Sequence, residues 1–156
     1  MKIYIGIDPG ASGALVWMDG KGSVIAHKVK DTPPVEAIKD AIGEHDTSDV
    51  VAVLEQVGGF MGGKDNKFLG SAMAKLGRSF GYWEGALAMA GVRCELVTPQ
   101  RWQAGISGTS GKKGAERKRA LRAEAIRRFP TVKVTMDNCD ALLIADYCRM
   151  KNGGRE

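Results

Sequence analysis

No stretch of the sequence approaches the roughly 20 consecutive apolar residues that a membrane-spanning helix needs, so no place inside a bilayer is expected. The opening residues Met1-Lys2-Ile3-Tyr4-Ile5 pass straight into a strand pattern, without the long apolar region and small-residue cleavage site of a secretory signal. A cytoplasmic protein is the expectation. Cysteine is scarce: Cys94, Cys139 and Cys148 are odd in number and lack paired spacing, which argues against a disulfide framework and against a zinc cluster. Cys139 and Cys148 fall in an expected helix and read as small apolar packing groups. Internal repeats and long linkers are also missing, so the 156 residues suit a single domain, 1–156, with one core.

What the chain does have is positive charge in one place. Between Lys112 and Arg128 stand eight basic residues, Lys112, Lys113, Arg117, Lys118, Arg119, Arg122, Arg127 and Arg128, opposed only by Glu116 and Glu124. The whole chain carries +5, so the remainder is close to neutral. Such a patch attracts a phosphate backbone through counterion release, although a solvated helix face also carries many lysines and arginines.

Ile3, Ile5 and Ile7 alternate with Lys2, Tyr4 and Gly6 as in a strand, which Asp8-Pro9-Gly10 ends. Residues 13–18 and 23–29 read as two more strands joined by Asp19-Gly20-Lys21-Gly22, giving an antiparallel meander. Pro33 and Pro34 open a short helix to about Glu44. The run Val50-Val51-Ala52-Val53-Leu54, closed by Glu55, fits a central strand buried on both faces. A glycine-rich loop follows, then a helix over about 66–90, a fifth strand over 92–97, and a short turn capped at Thr98-Pro99. A Gly- and Ser-rich loop over 105–114 leads to the basic helix, about 114–129, which Pro130 stops. A last helix spans about 136–151.

The helix over 66–90 carries two stripes. Leu69, Met73, Leu76, Phe80, Trp83, Leu87 and Ala90 form a heptad-like apolar seam. Gly70, Ala74, Gly77, Gly81, Gly85 and Ala88 form a neighbouring stripe of small residues. Each glycine costs about 1 kcal/mol of helix stability relative to alanine, which suggests that something approaches this backbone closely. One stripe suits the sheet and the other a second subunit.

Four acids stand out by position. Asp8 ends the first strand and Glu55 ends the apolar strand. If these strands are parallel neighbours, the two carboxylates emerge together at the edge where ligand sites of α/β sheets gather. Asp137 and Asp140, three apart at the start of the last helix, are expected on one helix face. Carboxylates gathered at one edge repel one another unless cations neutralise them. Oxygen ligands favour hard ions such as Mg²⁺ or Mn²⁺. Two such ions about 4 Å apart activate a water and stabilise a leaving oxygen in phosphoryl transfer. Phosphodiester hydrolysis needs both this acidic cage and a phosphate-gripping surface. Taken singly the acids have plainer uses: Asp8-Pro9-Gly10 as a turn, Asp137 as a helix-start acid.

In this order the pieces resemble the RuvC family of Holliday-junction resolvases: Ile5-Gly6-Ile7-Asp8-Pro9-Gly10, then Leu54-Glu55-Gln56-Val57 with Phe60-Met61, the glycine-rich loop before Lys112-Lys113 and Lys118, and Asp137-Asn138-Cys139-Asp140-Ala141-Leu142. The resemblance runs from Ile3 to about Tyr147. It implies an α/β, RNase H-like fold with a five-stranded mixed sheet flanked by helices. It also implies a homodimer, here through the helix over 66–90, cutting opposed strands of a four-way DNA junction with two Mg²⁺ ions per site, Mn²⁺ substituting. By the same resemblance Asp8 bridges both metals, Glu55 holds one and Asp140 the other, and Asp137 matches a position the family fills with an acid or a histidine. Lys118, or else Lys113, matches a basic residue near the scissile phosphate. Phe60 or Phe68 matches an aromatic that stacks on junction bases. Lys112, Arg117, Arg119 and Arg122 complete the expected DNA-gripping set.

The chain departs from the family in the paired glycines Gly58-Gly59 and Gly62-Gly63 and in its shortness, which is like compact phage versions and points to a bacterial or phage-infected cytosol. Relaxed cutting of other branched DNA, an RNA-directed nuclease, or a catalytically idle nucleic-acid-binding module on the same fold are the alternatives. An actin-like ATPase fragment shares Gly6-Ile7-Asp8-Pro9-Gly10, but that class needs two lobes and leaves Asp137, Asp140 and the basic helix without a use.

Overall fold

The computed structural model describes residues 1–56 and 69–153. Five strands form one mixed sheet: β1 (Ile3–Ile7), β2 (Ala14–Asp19), β3 (Val24–Lys28), β4 (Val50–Glu55) and β5 (Arg93–Val97), in the order β3-β2-β1-β4-β5. The meander is antiparallel, while β1–β4 and β4–β5 are parallel. The helices are α1 (Pro34–Ile42), α2 (Leu69–Met89), α3 (Pro99–Gln103), α4 (Gly114–Arg128) and α5 (Cys139–Asn152). Among the described residues no helix is long and apolar enough to cross a membrane.

Alternation along the strands sorts residues between two cores rather than between core and solvent. Ile3, Ile5, Ile7, Leu15, Ala52 and Leu54 pack with Ile38 of α1 and with Trp83 and Leu87 of α2. On the other face Tyr4, Val16, Val51 and Val53 pack with Trp102, Leu121, Leu142 and Ile144 from α3, α4 and α5. Strand β1 is buried throughout its length for this reason, as a central strand covered on both sides should be.

Gly6 explains how closely the second layer sits. A side-chain carbon there would collide with the backbone of Ala141 and Ala145, so α5 lies directly on β1. A glycine inside a strand often marks such close approach.

Two boundaries differ from expectation, and a third lies outside the described residues. Helix α1 ends at Ile42, because Gly43 turns the chain with φ +53° and its N–H returns to Lys39 O. The last helix begins at Cys139, not near Met136. Thr135 and Asn138 exchange bonds ahead of it: the Asn138 side chain accepts from Thr135 N at 2.8 Å, and Thr135 Oγ1 accepts from Asn138 N at 3.3 Å. Asp137 therefore belongs to a turn and does not share a helix face with Asp140. Finally, α2 is described from Leu69 onward, and the expected start near Asn66 lies outside the described residues.

Candidate active site

The parallel register pairs Ile7 with Leu54, so the next residues, Asp8 and Glu55, leave the sheet side by side. A turn holds Asp8 in place: its Oδ1 accepts from Gly10 N at 3.0 Å, and its own N–H reaches Ala14 O at 3.0 Å. Gly13 closes over it, and a side-chain carbon at Gly13 would stand only 2.9 Å from the Asp8 carboxyl carbon. Glu55 is the last residue of β4 and pairs with Val97 of β5. Its Oε2 accepts from Trp102 Nε1 at 2.6 Å. Asp140, in the first turn of α5, arrives from the opposite layer. Its Oδ2 is 2.6 Å from Lys118 Nζ, and the Cys139 thiol donates to its Oδ1 at 3.3 Å.

Electrostatics tie these groups together. Burial pushes the Glu55 carboxyl up to about 7, Asp8 and then Asp140 push the same way, and the Trp102 bond and Lys118 oppose them. Asp8 is also raised, first by burial and then by Asp140, against the Gly10 N–H and Lys118. Burial works against the charge of Lys118, yet Asp140 and, more weakly, Asp8 outweigh it and raise its pKa. Among the described residues three carboxylates thus share one ammonium group.

Among the described residues no three His, Cys, Asp or Glu side chains stand close enough to hold one ion together. Glu55 lies in electrostatic reach of both Asp8 and Asp140, and Asp8 in reach of Asp140. Oxygen-only pairs suit Mg²⁺, which keeps several waters and takes one or two carboxylates alongside substrate phosphate. The donor set fits a hard divalent cation on that ground.

Asp137 stands apart from this group. Lys28 Nζ and Lys30 Nζ approach its Oδ2 at 3.3 and 3.6 Å, and first of all the Lys28 bond lowers its pKa. The physical reason is the turn made by Thr135 and Asn138, which delays the start of α5 until after Asp137 and leaves its carboxylate to Lys28 at the end of β3.

The basic segment divides into parts with different partners. Lys118 faces the acids. Arg127 and Arg128 are bound by Glu124 at 2.8 Å, and Arg128 also by Asp146 at 2.9 Å, on the seam between α4 and α5. Arg122 donates to Val134 O at 3.3 Å. Lys112, Lys113, Arg117 and Arg119 form no ion pair among the described residues. Lys113 is the residue before the first turn of α4 and makes no side-chain cap there. Phe60 and Phe68, the candidate stacking aromatics, lie outside the described residues.

Sequence reading missed Trp102 as a partner of Glu55 and missed Lys28 and Lys30 at the same end of the sheet. The cap at Thr98-Pro99 was legible, but nothing local announces that the fourth residue after it returns to β4.

No family model matches this sequence, and no curated protein matches it either. Solved structures do match in shape. A structure described as Thermus thermophilus RuvC aligns with a TM-score of 0.51 at 21% identity, covering 97% of this chain and 96% of that one. A second, T. thermophilus RuvC in complex with Holliday junction substrate, aligns with a TM-score of 0.56 at 18% identity, covering 98% and 97%. The five-stranded mixed sheet with flanking helices is thus the RNase H-like fold of RuvC, as the motifs implied.

Proposed function

We propose that this chain is a divalent-metal-dependent DNA endonuclease that resolves four-way junctions as a homodimer. The observation that carries the reading is that Asp8, Glu55 and Asp140 lie in electrostatic reach of one another at one sheet edge, with Lys118 as their one cation among the described residues. Its fold companion, a RuvC structure described with a Holliday junction substrate, supports the choice of branched DNA.

In this reading Asp8 with Glu55 would hold one divalent cation and Asp8 with Asp140 would hold another. Mg²⁺ or Mn²⁺ held there supplies Lewis-acid activation of a water and neutralises charge on the phosphodiester. The chain's own groups do the rest. Lys118 brings a fixed positive charge to the place where the scissile phosphate would lie. Lys112, Lys113, Arg117 and Arg119 grip the flanking backbone, as unpaired cations do. Asp137 is left out of the ligand set, because it lies in the turn before α5 and its electrostatic partners are Lys28 and Lys30, not the other acids.

Dimer formation is supported by the outward face of α2. Gly77, Gly81 and Gly85 have nothing within 4 Å of where their side chains would begin. Beside them lies a groove of about 490 Å³, bordered by Val35, Tyr82 and Met89, the last 90% exposed. None of the carboxylates lines that groove, which suits a second protein surface better than a substrate. Sedimentation at micromolar concentration checks it, with a dimer expected.

The deciding experiment incubates the protein with a labelled synthetic four-way junction, a fork, a plain duplex and an RNA duplex, with Mg²⁺ or with EDTA. Paired symmetric nicks in the junction, dependent on Mg²⁺, are expected. Cleavage in EDTA, or equal cutting of the plain duplex, sinks the proposal.

A further inference from the structure

We infer that Trp102 is a positioning residue for Glu55, its indole N–H holding one carboxylate oxygen so that the other stays aimed at the sheet edge; this deepens the proposed reading and rests on it. The bond is short, 2.6 Å from Nε1 to Oε2, and Trp102 itself is only 2% exposed. Glu55 Oε1 accepts no hydrogen bond among the described residues. One oxygen is fixed by the protein and one is left free.

The path that delivers the indole is brief and rigid. Val97, the last residue of β5, is the register partner of Glu55, and Gln56 N donates to Val97 O at 2.7 Å. Thr98 then caps α3, its hydroxyl accepting from Arg101 N, and Pro99 pre-sets the first turn. Trp102 comes five residues after the end of β5, so one helical turn brings its ring back to Glu55 at the end of the neighbouring β4. The ring belongs to the same buried cluster as Leu121 of α4 and Leu142 of α5. Those helices bear Lys118 and Asp140, so one packed unit supports all the groups at the edge.

A second buried indole gives the contrast. Trp83, fully buried in the other core, has no partner for its Nε1 among the described residues. Burial alone therefore does not force an indole in this protein onto an acceptor. The Trp102 bond reflects where α3 puts the ring, and a carboxylate held on one oxygen cannot turn freely between one-oxygen and two-oxygen contact with a cation. Groups that orient metal ligands in this way commonly change metal affinity or activity by 10–100-fold when removed.

Trp102→Phe keeps an aromatic ring in the core and deletes the donor. Calorimetric titration should show Mn²⁺ binding weakened by about tenfold or more, with kcat lowered and KM for a junction nearly unchanged. Wild-type Mn²⁺ affinity in a folded Trp102→Phe protein overturns the inference. An independent readout needs no variant: the chain has three tryptophans, hence three indole N–H signals in a ¹H–¹⁵N spectrum. The Trp102 signal, assigned through Arg101 and Gln103, should move when Mg²⁺ is added while that of Trp83 stays. A stationary Trp102 signal in protein shown to bind Mg²⁺ likewise refutes it, even if Trp102→Phe fails to fold. If wild-type protein binds neither ion, the nuclease reading falls and takes this inference with it; if it binds and cuts but Trp102 proves indifferent, only the inference falls.

Discussion

Along the seam of α4 and α5, each acid is met by guanidinium groups. Glu124 takes Arg127 and Arg128 at 2.8 Å, and Asp146 takes Arg128 at 2.9 Å and Arg149 at 2.7 Å. At the sheet edge Lys118 is, among the described residues, the one cation in electrostatic reach of Asp8, Glu55 and Asp140. The same residue types are thus used in opposite ways. On the seam the arginines, Arg127 foremost, hold the Glu124 carboxyl down at about 2. At the edge burial and mutual repulsion hold Glu55 up near 7. The seam joins two helices, whereas the edge holds fewer cations than acids among the described residues.

The largest test of that contrast removes an edge acid. Asp8→Asn should bring Mg²⁺-dependent cleavage to background while junction binding in EDTA survives, checked by gel assay and by anisotropy. The mirror experiment removes a seam acid. Asp146 is 4% exposed and Arg128 only 21%. Asp146→Asn removes one of the two carboxylates that hold Arg128, Glu124 remaining, so the loss should stay below the about 3 kcal/mol of a fully broken buried pair and lower the melting temperature by several degrees. Its cleavage at low temperature should be near normal. A catalytic loss without a melting shift would erase the distinction between the two clusters.

Acidity sharpens the comparison further, since the two clusters respond with opposite sign. Glu124 is depressed from 4.5 to about 2, so its stabilisation is fully present above 4.5 and disappears as pH falls toward 2. Glu55 is raised from 4.5 to about 7, so the folded state without divalent ion loses stability as pH climbs through that window. Melting curves in EDTA should therefore decline between about pH 4.5 and 7, and Glu55→Gln should flatten that decline. Added Mg²⁺ should raise the melting temperature more at pH 8 than at pH 5, because the ligands must be deprotonated to bind it. The smallest effect belongs to the unpaired cations. Arg119→Ala should weaken junction binding and reduce its log–log salt slope by about 1, whereas Arg127→Ala, already committed to Glu124, should leave the slope unchanged.

Periodicity made the framework readable. The alternation of Ile3, Ile5 and Ile7 and the unbroken run from Val50 to Leu54 are strong patterns, and placing Asp8 beside Glu55 needed only the parallel pairing of those strands. Part of the seam was also legible, since Glu124 precedes Arg127 and Arg128 at helical spacing. Its other half was hidden, because Asp146 comes from another helix 18 residues away. Asp137 was misplaced because spacing of three says nothing about where a helix begins, and the exchange between Thr135 and Asn138 delays it. Trp102 escaped notice because its partner lies 47 residues earlier in the chain.

Gly6 has a consequence for anyone redesigning this chain. Since α5 rests backbone to backbone on β1 there, the height of Asp140 above Asp8 is set by a missing side chain, much as a washer's thickness sets a gap. A methyl group at that position acts as a wedge, and no rotamer change elsewhere relieves it. Displacements of 1 Å cost on the order of a hundredfold in rate, so Gly6→Ala should disable the chemistry under conditions in which the helices still form, and directed evolution from such a variant would have to shift α5 as a rigid body.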